Sequence, residues 1–374
     1  MNARVAIFAP SPLGGLAEHA HYQALALTAE GVEVSLLSED GFLGGRRGNY
    51  RFVPLFPPFD DSRGKVAKVL NLLRRYVLLR QYLNENDFDL LLLESYSEYL
   101  SSLWGGSMKR MARSGLVIAA NLHDPVRDYQ LGPAWWHRWS IRKAYEPLSF
   151  VLVHQKVPVE AKLPKRVVAY EVPVGVYHES CPLPEEEASR QKLGIPDGKR
   201  VFLSFGFIRD NKNLDLFIKA MRNMDDVFLL VAGRSQSVKD RSVAYYLELA
   251  AQCGVADRVQ FDDDFIEDDK VPQYFAACEY VLLTYDGTFR SQSGVLNIAA
   301  KYQKPLFASS GDSPLRDVVR NYKLGIFVTP DSETAISKGL ATDFDASDCD
   351  WEGYFEYASW KTNVTPILEF LKKK

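Results

Sequence analysis

The chain alternates short apolar segments with longer segments of helical periodicity, and this alternation occurs twice along its 374 residues. In the first half the apolar segments lie at 5–9, 32–37, 52–55, 90–93, 116–120 and 150–153, with helical patterns at 17–30 and 65–83. Several of these segments have no polar face, which is expected of parallel strands covered by helices on both sides. The pattern predicts an α/β fold with a doubly wound sheet.

The same rhythm restarts near residue 200, with strands predicted at 201–206, 227–232, 259–261, 280–283 and 305–308 and helices at 214–223, 243–254, 270–277 and 294–302. A stretch rich in proline, glycine and charge separates the halves. We predict a first domain at 1–175, a linker at 176–198, a second domain at 199–345 and a C-terminal helical segment at 346–374. Two such domains are expected to face each other across a cleft, which suits an enzyme that joins two substrates.

The overall charge restricts the classes of partner. A net charge of -3 and a pI of about 6.1 provide no global basic field, so we predict no nucleic-acid partner. The four cysteines are far apart and form no CxxC pair, which indicates reduced thiols and no zinc site: Cys181, Cys253, Cys278 and Cys349. The first apolar segment is short for a signal peptide and no stretch suits a membrane span, so a cytoplasmic protein is expected.

Two glycines follow the first predicted strand and precede a helix. Gly14 and Gly15 permit close backbone approach, and the helix start offers free N–H groups to a phosphate. A simple strand-to-helix turn explains the segment equally well. A histidine follows another buried strand: His123, next to Asp124, is placed where a side chain would face the cleft.

Two segments in the second half of the chain contain residues of the kind that bind a diphosphate. Arg209 and Lys212 follow the strand that ends at Gly206, and two cations at the carboxyl edge of a strand are well placed to neutralise phosphates. After a later strand, a helix is predicted to begin with serine and glycine, whose hydroxyl and N–H groups also bind phosphate: Ser291, Ser293 and Gly294. Solvated loop cations and ordinary cap residues are the alternative interpretations.

The order of these motifs resembles the GT-B glycosyltransferases, specifically family GT4. The resemblance rests on the GG loop, the strand followed by HDP, the linker, FGFIRDNKN, VAG, RVQF, SGVLNIAA with KP, and a late helix with Trp360. It implies two Rossmann-like domains and a C-terminal helix that returns to the first domain. It also implies an enzyme that transfers a hexosyl group from a nucleotide-diphosphate sugar to a glycan, lipid-linked or small-molecule acceptor, as in polysaccharide biosynthesis. The transfer is expected to be retaining and metal-independent.

The resemblance also implies the roles of residues. It implies that the catalytic residues are His123, Arg209 and Lys212. The residues expected to lie on the side of the acceptor are Glu18, His19 and Asp124. The donor-binding residues are expected to be Gly14, Gly15, Gly206, Gly233, Ser291, Ser293, Gly294, Val295 and Asn297. No cofactor or metal is expected.

The sequence departs from the family at two positions. Many members carry two glutamates there, the second of which holds the ribose, and ungapped alignment places Arg290 and Ile298 at these positions. Asn297 or Asp286 could substitute. Two other functions therefore stay open: a nucleotide-sugar epimerase or hydrolase of the same fold, and a non-catalytic protein that binds nucleotide or carbohydrate.

A run of three aspartates, 262–264, imitates the DXD motif of metal-dependent glycosyltransferases. Because it follows a strand of the second domain, we interpret it as a solvated turn.

Two basic and aromatic clusters could contact an anionic membrane. The stretch 63–83 contains six basic residues and no acid, and its apolar residues fall on one helical face: Val66, Val69, Leu70, Leu73 and Val77. The second cluster is WWHRWSIRKAY, at 135–145. A helix packed on the sheet with a solvated basic face is the equal alternative to peripheral binding at the inner face of the plasma membrane.

Overall fold

The computed structural model describes residues 3–58, 64–123, 132–157, 161, 163–176, 182–235 and 239–373, with only the backbone of Lys65. The chain forms two compact units: unit 1 comprises Met1–Gly175 and Ala358–Lys374, and unit 2 comprises Val176–Tyr357. Each unit contains one parallel sheet with helices, so the predicted α/β class is confirmed.

The sheet of unit 1 has seven described strands: β1 (Arg4–Phe8), β2 (Glu33–Glu39), β3 (Arg51–Phe56), β4 (Leu90–Leu93), β5 (Val117–Leu122), β6 (Phe150–Val153) and β7 (Val168–Glu171). Their order is β3-β2-β1-β4-β5-β6-β7, so the strand order reverses between β1 and β4. The sequence did not predict β7, because an exposed edge strand has no apolar run to reveal it.

Helices cover both faces of this sheet: α1 (Gly15–Ala29), α2 (Lys65–Glu85), α3 (Ser101–Arg113), α4 (Ala134–Tyr145) and, from the end of the chain, α13 (Trp360–Lys372). Apolar side chains of α2, α3 and α4 share one core with strand residues such as Phe8 and Leu91. Those of α1 and α13 share the opposite core with Val5 and Leu92. The neighbouring strand residues alternate between the two cores, which explains the continuous apolar strands.

The sheet of unit 2 has six described strands: β8 (Arg200–Phe205), β9 (Val227–Ala232), β10 (Val259–Asp262), β11 (Tyr280–Thr284), β12 (Leu306–Ser309) and β13 (Gly325–Phe327). Their order is β10-β9-β8-β11-β12-β13, so the reversal falls between β8 and β11. The helices are α5 (Glu186–Leu193), α6 (Leu214–Ala220), α7 (Val243–Gln252), α8 (Val271–Ala277), α9 (Gly294–Lys301), α10 (Pro314–Asn321), α11 (Glu333–Leu340) and α12 (Trp351–Tyr357).

The structure divides the chain differently from the predicted boundaries at two places. Of the predicted linker 176–198, the described residues 182–198 do not stand apart, because they include α5, which packs against α8 and whose Arg190 forms an ion pair with Glu279. The segment 346–374 is split, because α12 belongs to unit 2 and α13 to unit 1. Tyr354 of α12 is fully buried and its hydroxyl accepts a hydrogen bond from Gln292, which explains why α12 stays with unit 2.

None of the helices in the described part of the chain is both long enough and apolar enough to pass through a bilayer.

Candidate active site

Polar side chains follow three adjacent strands of unit 1. Glu94, His123 and His154 come directly after β4, β5 and β6, and each preceding strand is almost wholly apolar. Since parallel strands end at the same edge of a sheet, these side chains are brought together there. His19, from the second turn of α1, completes the cluster, and its ring centroid lies 4.9 Å from that of His123 and 5.1 Å from that of His154.

Glu94 is the centre of this cluster, which we call the histidine–glutamate cluster. Its carboxylate lies 3.1 Å from His19 Nδ1 and 2.9 Å from His123 Nε2, and it accepts a hydrogen bond from Asn121. Burial alone would raise the pKa of Glu94, but the two histidines oppose this effect by charge and hydrogen bonding and hold its pKa well below the usual range. The carboxylate is therefore ionised at neutral pH.

His154 behaves in the opposite way. Burial, and the proximity of His19 and His123, lower the pKa of His154 well below its ordinary value, so the ring is neutral near pH 7. Its Nδ1 lies 3.0 Å from the carbonyl oxygen of Val172, which can only accept a hydrogen bond. Its Nε2 has no hydrogen-bond partner among the described residues.

A buried amide chain connects the cluster to the C-terminal helix. Asn121 donates to Gln23 at 2.8 Å, and Gln23 donates to Asn363 of α13 at 2.8 Å. Trp360, at the start of α13, stacks on Tyr22 with ring centroids 5.4 Å apart and contacts the His19 ring edge-on at 5.1 Å. The return of the C-terminal helix to the first domain, implied by the family resemblance, therefore helps to build this site.

Three other predicted residues of unit 1 lie at the start of α1. Gly14 precedes the helix with a positive φ of 82°, a conformation that favours glycine, and Gly15 is the first helical residue. Glu18 lies in the first turn and forms an ion pair with Arg46, so its carboxylate is already engaged. Asp124 lies outside the described residues.

One ring nitrogen of His19, one ring nitrogen of His123 and a carboxylate oxygen of Glu94 lie within 4.8 Å of one another. Among the residues that the structure describes, these three form the set whose atoms have metal-ligand spacing. Two imidazoles and one carboxylate are a donor set that zinc and iron accept.

In unit 2, two glycines bring the ends of β8 and β9 into close contact. Gly206 has φ +81° and Gly233 has φ +137°, and a Cβ atom added to Gly233 would lie 2.3 Å from the carbonyl oxygen of Gly206. No other residue type fits Gly233 without a backbone shift. Glycine at 233 is therefore required for the close approach of the backbone after β8 to the backbone after β9.

Lys212 is buried near the end of β8, although lysine is almost never fully buried without a partner. Its Nζ donates to the carbonyl oxygen of Phe205 at 2.7 Å, and its own carbonyl oxygen accepts from Thr284 at 2.8 Å. Burial, together with the charge of Arg209, lowers the pKa of Lys212 to about 7. Arg209 itself is exposed, with its guanidinium carbon 5.6 Å from the centre of the Phe207 ring.

The start of α9 lies after β11, the strand adjacent to β8. Ser293 precedes the helix with φ +73°, which is strained for a residue other than glycine, and its hydroxyl lies 3.0 Å from the hydroxyl of Tyr285. Within the described residues no side chain caps this helix. The first N–H groups of α9, from Gly294 and Val295 onward, have no carbonyl partner inside the helix and are available to an anion.

Asn297 and Ser291 differ in their placement around this helix. Asn297 is 1% exposed, and its Oδ1 has no hydrogen-bond partner among the described residues. Ser291 is half-buried in the loop before α9. Of the positions where the family carries glutamates, Arg290 is exposed and Ile298 is half-buried. Asp286 accepts hydrogen bonds from the backbone N–H and hydroxyl of Thr288.

The three-aspartate run begins inside β10 and continues into the following turn. Asp262 accepts a hydrogen bond from Tyr274, while Asp263 and Asp264 are exposed.

Sequence reasoning missed Glu94, Asn121 and His154. A signal for Glu94 and His154 was available, since each is a charged or titratable residue directly after a strand of four apolar residues, LLLL and FVLV. The sequence analysis predicted a site residue of this kind only at His123. Asn121 lies within β5, and only its contacts in the folded structure identify it as part of the site.

Residues 185–343, which fall within unit 2, match the family model described as "Glycosyl transferases group 1". This match confirms the resemblance to group 1 glycosyltransferases and the prediction of a glycosyltransferase. Among curated proteins, none matches the chain significantly.

Solved structures similar to the whole chain include HepE from Anabaena in complex with UDP, with a TM-score of 0.70, 17% identity and coverage of 100% of both chains. Sucrose-phosphate synthase from Thermosynechococcus elongatus has a TM-score of 0.68 and 15% identity, covering 100% of this chain and 99% of that one. WaaG, a glycosyltransferase involved in lipopolysaccharide biosynthesis, has a TM-score of 0.59 and 17% identity, covering 95% of each chain. These similarities confirm the GT-B fold.

Proposed function

We propose that this group 1 glycosyltransferase is a retaining, metal-independent enzyme of the GT4 type. It transfers a hexosyl group from a nucleotide-diphosphate sugar to a glycan, lipid-linked or small-molecule acceptor in polysaccharide or glycoconjugate synthesis. The observation that carries the proposal is the buried Lys212, whose carbonyl oxygen accepts a hydrogen bond from Thr284 at the end of β11, the strand that precedes α9. The presence of UDP in the similar HepE structure supports a nucleotide donor.

The leaving diphosphate needs positive charge as the anomeric bond breaks. Arg209 and Lys212 supply two cations, and the N–H groups of Gly294 and Val295 supply a partial positive charge. Lys212 is already fixed by its hydrogen bond to Phe205, so it loses little side-chain freedom on binding the diphosphate. With retention, the acceptor hydroxyl approaches from the side of the leaving group, whose phosphate oxygen accepts the proton. A side-chain base is then not required.

His123 has a separate task in unit 1. We assign it to contact with the transferred sugar, because it follows β5 directly and is only partly buried, with its side chain 24% exposed. Its exposure distinguishes it from His19 and His154, which are buried. Glu18 and Asp124 are assigned to the acceptor, whereas His19, which was also expected on the acceptor side, is buried.

The absence of the two family glutamates favours one alternative, a protein that binds nucleotide or carbohydrate without turnover. Arg290 and Ile298 offer no carboxylate, so we assign the donor nucleoside to Asp286 or to Asn297, whose Oδ1 has no hydrogen-bond partner among the described residues. A binding protein would be stabilised by nucleotides yet transfer no sugar. An epimerase or hydrolase would consume the donor without any acceptor.

The test begins with the thermal stability of the protein in the presence of UDP, GDP, ADP and their sugars. A ligand that binds only the folded state raises the melting temperature in proportion to the logarithm of its concentration. With the donor thus identified, Lys212→Ala should lower kcat/KM at least ~100-fold, the usual scale for one preorganised contact to a developing charge.

Lys219→Ala is the matched control, because Lys219 lies on α6 and pairs with Asp215, 3.7 Å away. It should keep wild-type activity. Near wild-type activity of Lys212→Ala would refute the diphosphate assignment. Ligand stabilisation without transfer, hydrolysis or epimerisation would establish the binding protein instead.

We also propose that unit 1 binds an anionic membrane surface through α2 and α4. On α2, Val66, Leu70 and Val77 are exposed, with Leu70 at 61%, and the exposed Arg74 and Arg80 lie among them. The spacing places the five on one side of the helix. Arg75, counted in the predicted basic cluster, does not contribute, because it is buried in an ion pair with Glu39.

On α4, Trp135 and Trp139 are exposed, with Trp135 at 61%, and so are Arg138 and Arg142. Helix α3 packs against both α2 and α4, and all three cover the same face of the sheet. Cations next to tryptophan side chains are typical of proteins that lie on anionic lipid headgroups. A lipid-linked acceptor would be consistent with this surface.

A further inference from the structure

A buried carboxylate lies where the strand order of unit 1 reverses. Glu94 follows β4, the strand adjacent to β1, and its backbone N–H donates to the carbonyl oxygen of Phe8 at 3.0 Å. The Glu94 side chain is 1% exposed, so no ligand reaches it directly. It acts on a substrate only through the side chains that it holds.

The hydrogen bonds of Glu94 determine where the protons of two histidines lie. An ionised carboxylate can only accept hydrogen bonds. The nitrogen that faces it must therefore carry a hydrogen in each ring, namely Nδ1 of His19 and Nε2 of His123. Asn121 donates to the same carboxylate and keeps it in place.

We propose that Glu94 is a positioning residue, which holds His123 in one ring orientation with a proton on Nε2 while the sugar is transferred. The proposal rests on the proposed function, in which His123 contacts the transferred sugar. Without the carboxylate the partly exposed His123 ring loses the acceptor that faces its Nε2, so its orientation and its tautomer are less strongly fixed. A histidine that samples several orientations spends less time in the one that contacts the sugar.

A metal ion at the same three residues would be the competing explanation of their spacing. A histidine that binds a metal almost always donates its other ring N–H to a hydrogen-bond acceptor. The Nε2 of His19 is buried and has no partner among the described residues. In a metal-bound His19 this nitrogen would be a buried N–H donor with no acceptor among the described residues. The structure thus favours hydrogen bonds from the His19 and His123 rings to Glu94 over a metal ion shared by the three residues.

The first measurement needs no variant. Two-dimensional ¹⁵N–¹H spectra of the six histidine rings, assigned by single substitutions, should show His123 protonated on Nε2 and His19 and His154 protonated on Nδ1. His123 protonated on Nδ1 alone would overturn the proposal. One equivalent of tightly bound zinc or iron in the purified protein, lost on substitution of Glu94, would also overturn it.

The second measurement is the activity of Glu94→Gln, which has nearly the same shape but one carbonyl oxygen and no charge. We expect kcat to fall roughly 10- to 100-fold, the range expected for losing a hydrogen bond to a charged group. The Kd for the nucleoside diphosphate should not change, because the cations proposed to hold its phosphates, Arg209 and Lys212, are in unit 2. Unchanged kcat with a folded protein would contradict the proposal.

Glu39→Gln is the matched control, since Glu39 is also a buried carboxylate of unit 1 but pairs with Arg75. It should lower the melting temperature without lowering kcat of the folded protein. If Glu94→Gln does not fold, Glu94→Asp, which keeps the charge but withdraws the oxygens by one methylene, should show the same loss of kcat. If the wild type transfers no sugar at all, the proposed function fails while the spectra still test the contact of Glu94.

Discussion

Lys212 shows how one buried residue can combine binding with sensitivity to pH. Its ammonium group is withdrawn from water and close to the charge of Arg209, so its pKa is lowered to about 7 from the ordinary value of 10.5. Near neutral pH the free protein therefore contains Lys212 in both protonation states. A diphosphate favours the charged state, because it supplies the negative charge that the site lacks.

From this we predict that binding of the nucleoside diphosphate takes up a proton above pH 7. Above the pKa of the free lysine the amine is neutral and must be protonated to pair with the phosphates. The affinity should therefore fall by up to about tenfold for each pH unit above 7, until the pKa of the bound state is reached. Titration calorimetry at pH 8 in two buffers of different ionisation enthalpy counts the protons.

Lys219→Ala should keep this proton uptake. Lys212→Arg should lose it if the variant binds at all, because arginine stays charged. An affinity that does not change between pH 7 and 9 would contradict this proton uptake.

Helix α2 illustrates how one element can serve two purposes. Its inner side contributes Tyr76 and Leu79 to the core, and the buried Arg75 donates to the carbonyl oxygen of Pro10 at 2.8 Å. Its outer side exposes Leu70 and Val77 to the surroundings. An apolar outer side contributes nothing to folding, which suggests that it serves a contact outside the chain.

We predict that replacing Arg74 and Arg80 together by glutamine weakens binding to vesicles of anionic lipid. Each cation near such a surface contributes about 1 kcal/mol, so the pair should cost ~2 kcal/mol, or about 30-fold in the partition coefficient at low salt. Flotation with anionic and with neutral vesicles measures the effect.

The control replaces Lys361 and Lys372 of α13, two exposed lysines on the helix that packs on the opposite face of the sheet. This double variant should float like the wild type. If the wild type itself binds neither type of vesicle, the membrane proposal is wrong and the outer side of α2 requires another partner.

At the scale of the whole molecule, each unit places its candidate site residues at or beside the point where its own strand order reverses. In unit 1 this point lies between β1 and β4, and in unit 2 between β8 and β11. The whole chain carries a net charge of -3, so no general positive field attracts a phosphorylated donor. The cations of unit 2 must therefore act locally.

We therefore predict that sugar transfer is unaffected by EDTA. If Arg209, Lys212 and the start of α9 neutralise the leaving diphosphate, no divalent ion is needed for that task. Initial rates should be equal in EDTA and in added Mg²⁺ within about twofold. A rate that disappears in EDTA and returns only with Mg²⁺ would show that a metal carries the diphosphate charge.

The sequence by itself determined the α/β class, most of the strands and the loops that follow them. Segments such as LLLL at β4 and FVLV at β6 can be stable only inside a sheet covered on both faces, and that requirement is local. The exposed β7 lacks such a segment and was missed.

Only the tertiary structure decided which polar residues meet. Glu94, His19 and His123 come from three separate parts of the chain, and their distances depend on strand order, which no local pattern encodes. The same holds for the division of the last segment, where the burial of Tyr354 keeps α12 in unit 2 while the contacts of Trp360 place α13 in unit 1. Periodicity reports the side on which a residue is buried, whereas the residues that bury it are fixed only when the chain has folded.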